Sequence, residues 1–217
     1  MEPLLDIIRA AASMPYSCEQ QEARYVGASD SKSLQGLGFL TALEDPTQGW
    51  VGGLLVLNAA SRPMEFHCTA PIKPSRAQQI LYGATLAPYI CGEQIGAALT
   101  RKSDIPTAIY FTDRLDMLAV RPLVNSPVVY LELPPQGDDG ASGNKLRIDA
   151  SHAQLPTPHA EAFISFQTHD CSMRVNAAFA GDQQTVTAVL EAEMSLDLCE
   201  PFQRVHEALE ETQLRKR

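Results

Sequence analysis

The sequence predicts an α+β fold, and a mixed α/β arrangement stays open beside it. Three observations carry this. Three apolar runs between residues 37 and 72 are joined by short, turn-rich connections. A strand–helix–strand pattern fills residues 106–133. A strongly amphipathic helix closes the chain.

The runs come first. Leu37 to Leu43, Trp50 to Leu57 and Met64 to Ile72 are separated by Glu44-Asp45-Pro46-Thr47-Gln48-Gly49 and by Asn58 to Pro63, both rich in turn formers. Three strands with two short connections predict an antiparallel meander over about 37–72. The second run is apolar at nearly every position, as in a strand covered on both faces. Gly52 and Gly53 weaken it, so a bulge or a close backbone contact is expected there. In the third run Met64, Phe66 and Cys68 face one way and Glu65, His67 and Thr69 the other.

Ser75 and Gln78 then form a capping box for a helix whose apolar face is Ala77, Ile80 and Leu81. Gly83 interrupts it. Thr85 can cap a second helix that ends near Lys102, with Pro88 tolerated in its first turn. Further strands are expected near 106–112, 128–133 and 162–167, with a helix over Leu115–Val124 shortened by Pro122. Asp182 can cap a helix through Glu193, where Thr185, Val186, Thr187 and Val189 make a strand the rival. Over 198–214 Phe202, Val205 and Leu209 form a helical stripe, capped by Asp197 with Glu200 answering at N3. Two regions are expected: an N-terminal helix with a polar linker over 1–35, and a single α+β domain over 36–217. The segment 134–144, PPQGDDGASGN, is its flexible loop.

Composition narrows the function classes. Of 217 residues, 45% are hydrophobic, enough to bury a core. The formal charge of −9 argues against a nucleic-acid binder, which needs a positive face. The densest basic cluster is Arg215-Lys216-Arg217, read as helix-end charge. The start, MEPLLDIIRAAASMPY, carries Glu2 and Asp6 where a secretory signal would be positive. No apolar run approaches the ~20 residues of a membrane helix. Five widely spaced cysteines without a CxxC indicate neither a disulfide framework nor a zinc ribbon, so the expected compartment is the cytoplasm.

The residue types present are compatible with four chemistries. His67, Cys68, Cys91, His169 and Cys171 are metal-ligand types without metal-ligand spacing, so no metal and no cofactor are expected. A thiol nucleophile at Cys68, Cys91 or Cys171 lacks a defined base, although His169 and Asp170 adjoin Cys171. Lys73, Ser75 and Arg76 flank a helix N-terminus and are weak ligand-binding candidates for an anion. Asp113 closes a strand, where ligands of α/β sheets collect, yet it could equally cap the next helix with Asp116 answering at N3.

No motif names a reaction or a family. Two functions follow, and the sequence leaves open whether the chain is an enzyme. The first is a non-catalytic cytoplasmic interaction or adaptor module offering an acidic surface, a sheet edge or its N-terminal amphipathic helix. It implies a protein partner or self-association and makes nucleic acid an improbable partner. The alternative is a hydrolase-type enzyme with a site around His67, Arg76 and Asp113, three residues near element edges that could line one cleft.

Overall fold

Apolar side chains on both faces of Leu37–Leu43 and Val51–Leu57 require cover on both sides, and the chain supplies two layers of helix around one sheet. The computed structural model describes residues 36–133, 163–168, 171–192 and 197–214, all within the compact unit Leu34–Arg217. The expected N-terminal helix and linker, the 134–144 loop, His169, Asp170 and Arg215–Arg217 lie outside the described residues.

Strands β1 (Gly36–Asp45), β2 (Gly49–Leu57) and β3 (Pro63–Cys68) form the meander. β1 and β2 pair antiparallel from Leu37↔Leu57 to Asp45↔Gly49, and every residue of β2 is buried. Asp45 Oδ1 closes their turn by accepting from the Thr47 and Gln48 amides at 2.6 and 2.8 Å. β3 is shorter than expected. Past Cys68 the Thr69 hydroxyl takes over, accepting from the Gly52 amide at 3.0 Å, and Ile72 rejoins only as a single bridge to Trp50.

The meander supplies three strands of a larger sheet. β4 (Thr107–Thr112), β5 (Val128–Leu131), β6 (Phe163–Thr168) and β7 (Cys171–Asn176) extend it to seven strands in the order β3-β2-β1-β4-β5-β7-β6. β4 runs parallel to β1 and β5 parallel to β4, while β7 and β6 are antiparallel additions. The fold is α+β with a mixed sheet. The crossovers from β3 to β4 and from β4 to β5 bring the chain back to run in the same direction, whereas every connection of a pure meander reverses it.

One helical layer follows β3. It comprises α1 (Arg76–Tyr82), α2 (Leu86–Pro88), a π-helix over Tyr89–Gly96, α3 (Ala97–Lys102) and a 3₁₀ helix over Leu115–Leu123. The capping box forms as read, with Gln78 N donating to Ser75 Oγ and Ser75 N to Gln78 Oε1. The expected apolar face of α1 does not bury: Leu81 is 82% exposed. Leu115–Leu123 winds as 3₁₀ rather than α, in a stretch where Pro122 brings no amide to the ladder. This layer covers Leu40, Ala42, Leu54, Val56, Tyr110 and Val128.

The other layer is α4 (Gly181–Ala192) and α5 (Glu200–Leu214), packed on Phe39, Val51, Leu55, Phe111, Val129, Met173 and Val175. The helix prevails over the strand at 181–192 because Val186 and Leu190, four apart, both bury in that core. Asp182 does not serve as the expected cap. Its carboxylate takes both the Nε–H and Nη2–H of Arg121, and both side chains are nearly buried.

Candidate active site

Alternation along two neighbouring parallel strands sets the site. Leu37, Phe39 and Thr41 on β1, and Ile109, Phe111 and Asp113 at the end of β4, point to the face covered by α5. In the register Leu40 pairs with Thr112, so Thr41 and Asp113 fall side by side. Phe202, Val205 and Leu209 anchor α5 on that face, and His206, at the edge of their stripe, reaches the same point.

Three polar side chains meet there. Thr41 Oγ1 donates to Asp113 Oδ1 at 2.6 Å. His206 Nε2 lies 2.9 Å from Asp113 Oδ2 and 3.3 Å from Thr41 Oγ1. Thr41 is fully buried, whereas the His206 side chain keeps 16% of its surface and Asp113 7%. An aromatic cluster supports them from one step back along each element: Phe39 stacks on Phe111 at 5.4 Å and meets the edge of Phe202 at 5.5 Å.

Gly53 makes the approach of α5 feasible. It pairs with Thr41 across β1–β2, and a Cβ there would stand 2.7 Å from Val205 Cγ1 and 3.2 Å from Leu209 Cδ1. Gly52 does the same for the opposite layer, where a Cβ would stand 2.0 Å from Ile95 Cγ2. The glycine pair therefore provides the close contact expected of it, and the β1–β2 register runs through it without a bulge.

The residues proposed from sequence are not brought together. Asp113 spends both oxygens on Thr41 and His206, and the 3₁₀ helix after it is capped at Arg114, so Asp113 is not the cap. His67 pairs with Leu54 on the opposite face of the sheet, 3.5 Å from Glu65 Oε1. Glu65 in turn accepts from the Ser103 hydroxyl at 2.6 Å and the Asp104 amide at 3.1 Å. Arg76 lies on the exposed start of α1, its Nη1 donating to Gln79 Oε1 at 3.4 Å. Lys73 Nζ donates to the Thr47 carbonyl at 3.0 Å, and the Ser75 hydroxyl is taken by its cap. The three anion-site candidates are thus engaged locally.

Burial pushes the Cys91 thiol up to about 12, which leaves it inert as a nucleophile. Among the described residues, no group of three or more His, Cys, Asp and Glu side chains is placed to hold a metal ion. No helix among them is long and apolar enough to cross a membrane.

Sequence reasoning missed Thr41 and His206. The signal for Thr41 was a hydroxyl inside an otherwise apolar strand, and for His206 an imidazole bordering the buried stripe of the last helix.

No protein-family description and no curated protein matches this chain. Solved structures do. Endonuclease V of Ciona intestinalis, a variant form bound to a 23mer DNA containing an inosine followed by a ribo-adenosine, aligns at 10% identity and a TM-score of 0.42, over 85% of this chain and 87% of that one. The same enzyme with a 24mer DNA aligns at 9% identity and 0.39, over 85% and 87%. Human ENDOV aligns at 11% and 0.39, over 85% and 86%. Likeness of this degree assigns no activity. The matches, Endonuclease V with DNA bound among them, run against the expectation of a non-catalytic adaptor with a protein partner and without nucleic acid.

Proposed function

We propose that this chain is a hydrolase in which His206 activates water, with Asp113 and Thr41 as positioning residues. The site differs from the one expected around His67, Arg76 and Asp113, and keeps only the last of these. The observation that carries the reading is the Asp113 carboxylate, nearly buried at the carboxyl end of a parallel strand and shared between an imidazole and a hydroxyl.

Roles follow from the hydrogen bonds. A carboxylate beside Nε2 favours the tautomer with its proton there, which leaves Nδ1 as the acceptor that can take a proton from water. Asp113 also stabilises the imidazolium that forms. Thr41 cannot be the nucleophile, because it is fully buried and its hydroxyl is already donated to Asp113. Its task is to fix the second carboxylate oxygen, so that the first stays aimed at His206. The cytoplasm remains the proposed compartment, on the spacing of the cysteines.

The test is a substrate panel headed by inosine-containing DNA, then single-stranded RNA, bis-p-nitrophenyl phosphate and p-nitrophenyl acetate. Wild type should turn over at least one of these. His206→Ala should lose about 100-fold or more in kcat/KM, the usual weight of a general base. Asp113→Asn should lower kcat, since the imidazolium that forms loses its counter-charge. Equal turnover by wild type and His206→Ala, or none on any substrate, overturns the proposal.

A further inference from the structure

The guanidinium of Arg114 lacks a full counter-charge among the described residues. Arg114 follows Asp113 at the carboxyl end of β4, where strand alternation turns its side chain away from α5. The guanidinium carbon lies 4.9 Å from the centre of the Trp50 ring, and 21% of the side chain stays exposed. The buried Nε–H finds no acceptor. Nη2 stands 3.9 Å from Asp116 Oδ2, too far for a hydrogen bond. The neighbouring Cys91 thiol, pushed up to about 12 by burial, stays neutral and supplies no charge. Glu44, opposite Trp50 in the β1–β2 register, makes no ion pair with Arg114. Lys73 and Arg76, by contrast, donate to oxygens of the chain.

The place suits an anion. Ligands gather at the carboxyl ends of parallel strands, and β4 has parallel neighbours on both sides. Arg114 also precedes the nine-residue 3₁₀ helix Leu115–Leu123, so the positive end of that helix adds to the same field. We propose that Arg114 binds the terminal phosphate of a phosphomonoester or free phosphate, its outer Nη–H groups donating to the phosphate oxygens in place of Asp116. A ligand carboxylate would bring no more charge than the tethered carboxylate it displaces. A terminal phosphate brings about −1.5 to −2 at pH 7 and three acceptor oxygens, so it prevails over Asp116.

The inference does not rest on the hydrolase reading, because it concerns binding alone. His206 meets Asp113 on the α5 face, whereas Arg114 and Trp50 lie on the other. His206→Ala should therefore bind phosphate as wild type does, which separates a failure of one reading from a failure of the other. Trp50 is the only tryptophan of the chain, and its ring lies against the guanidinium, so its fluorescence reports from this spot.

The experiment titrates the full chain with inorganic phosphate, thymidine 5′-monophosphate and sodium acetate at constant ionic strength, read by Trp50 emission and by isothermal titration calorimetry. Saturable binding of phosphate with a change in Trp50 emission is expected, and acetate should bind far more weakly. Tighter binding of inorganic phosphate identifies a free-phosphate site, and tighter binding of thymidine monophosphate a nucleotide one. Arg114→Gln should weaken binding about 10-fold or more, the weight of charge-assisted hydrogen bonds, and Arg114→Lys less. Asp116→Asn should tighten it by removing the competing carboxylate, and it decides the matter even if Arg114→Gln fails to fold. The inference is overturned if neither phosphate binds saturably, if acetate binds as tightly, if Arg114→Gln keeps the wild-type affinity, or if Asp116→Asn does not tighten binding.

Discussion

Gly53 stands directly across from Thr41 in the β1–β2 pairing, and the space its missing side chain leaves is filled by Val205 and Leu209 of α5. The distance between helix and sheet, and with it the reach of His206 to Asp113, depends on one hydrogen atom in place of a methyl group. Gly53→Ala should therefore cost about 1–3 kcal/mol, the usual penalty for overpacking. Val205 is β-branched and stiff at χ1, so it cannot rotate aside. Gly52→Ala should cost as much against Ile95, but on the layer away from His206. Urea denaturation checks both costs. If the proposed hydrolase activity falls in Gly53→Ala and holds in Gly52→Ala, the steric effect is localised to the α5 side.

Thr41→Val removes the hydroxyl that donates to Asp113 and keeps the shape. The expected loss is about 1–2 kcal/mol, since a buried carboxylate oxygen loses a donor. Thr41→Ser should recover most of it. Equal stability of Thr41→Val and wild type would show that the hydroxyl does not secure Asp113.

Arg121 and Asp182 form a bidentate pair between the 3₁₀ helix and α4, and the guanidinium lies 4.1 Å above the Phe179 ring. The two side chains keep only 11% and 8% of their surface. Removing one partner strands the other, so Arg121→Met alone should cost about 3–5 kcal/mol. Arg121→Met with Asp182→Leu should recover much of that. The measurement is a double-mutant cycle in guanidinium chloride, and additive losses would mean the two residues do not act as a pair.

Glu65 connects β3 to the end of α3. Burial opposes its ionisation, but hydrogen bonds from Ser103 and the Asp104 amide, with His67 nearby, outweigh it and hold the carboxyl below its ordinary value of 4.5. A carboxyl lowered in the folded state stabilises above its unfolded pKa and loses that contribution as pH falls through the folded value. Ser103→Ala should thus leave stability at pH 7 lower and bring acid unfolding on at a higher pH. An unchanged acid midpoint by circular dichroism would rule this contact out as a source of acid resistance.

Much of the frame was legible locally. Alternation and turn chemistry placed β1 to β5, the Ser75–Gln78 box placed α1, and the stripe of Phe202, Val205 and Leu209 placed α5 on a core, because each signal lies within a few residues of sequence. β7 was missed because His169, Asp170 and Cys171 drew attention as chemistry, where β6 and β7 pair as a hairpin from Thr168↔Cys171 onward. Local pattern determined most of the strands and helices, while at 181–192 the core that Val186 and Leu190 enter decided for the helix. The fold alone decided that β4 lies parallel to β1, and hence that Thr41, Asp113 and His206, far apart in the chain, share one point while His67 faces the other way. Such proximity comes from strand order and from the height at which a helix crosses a glycine, and neither is written in the period of the sequence.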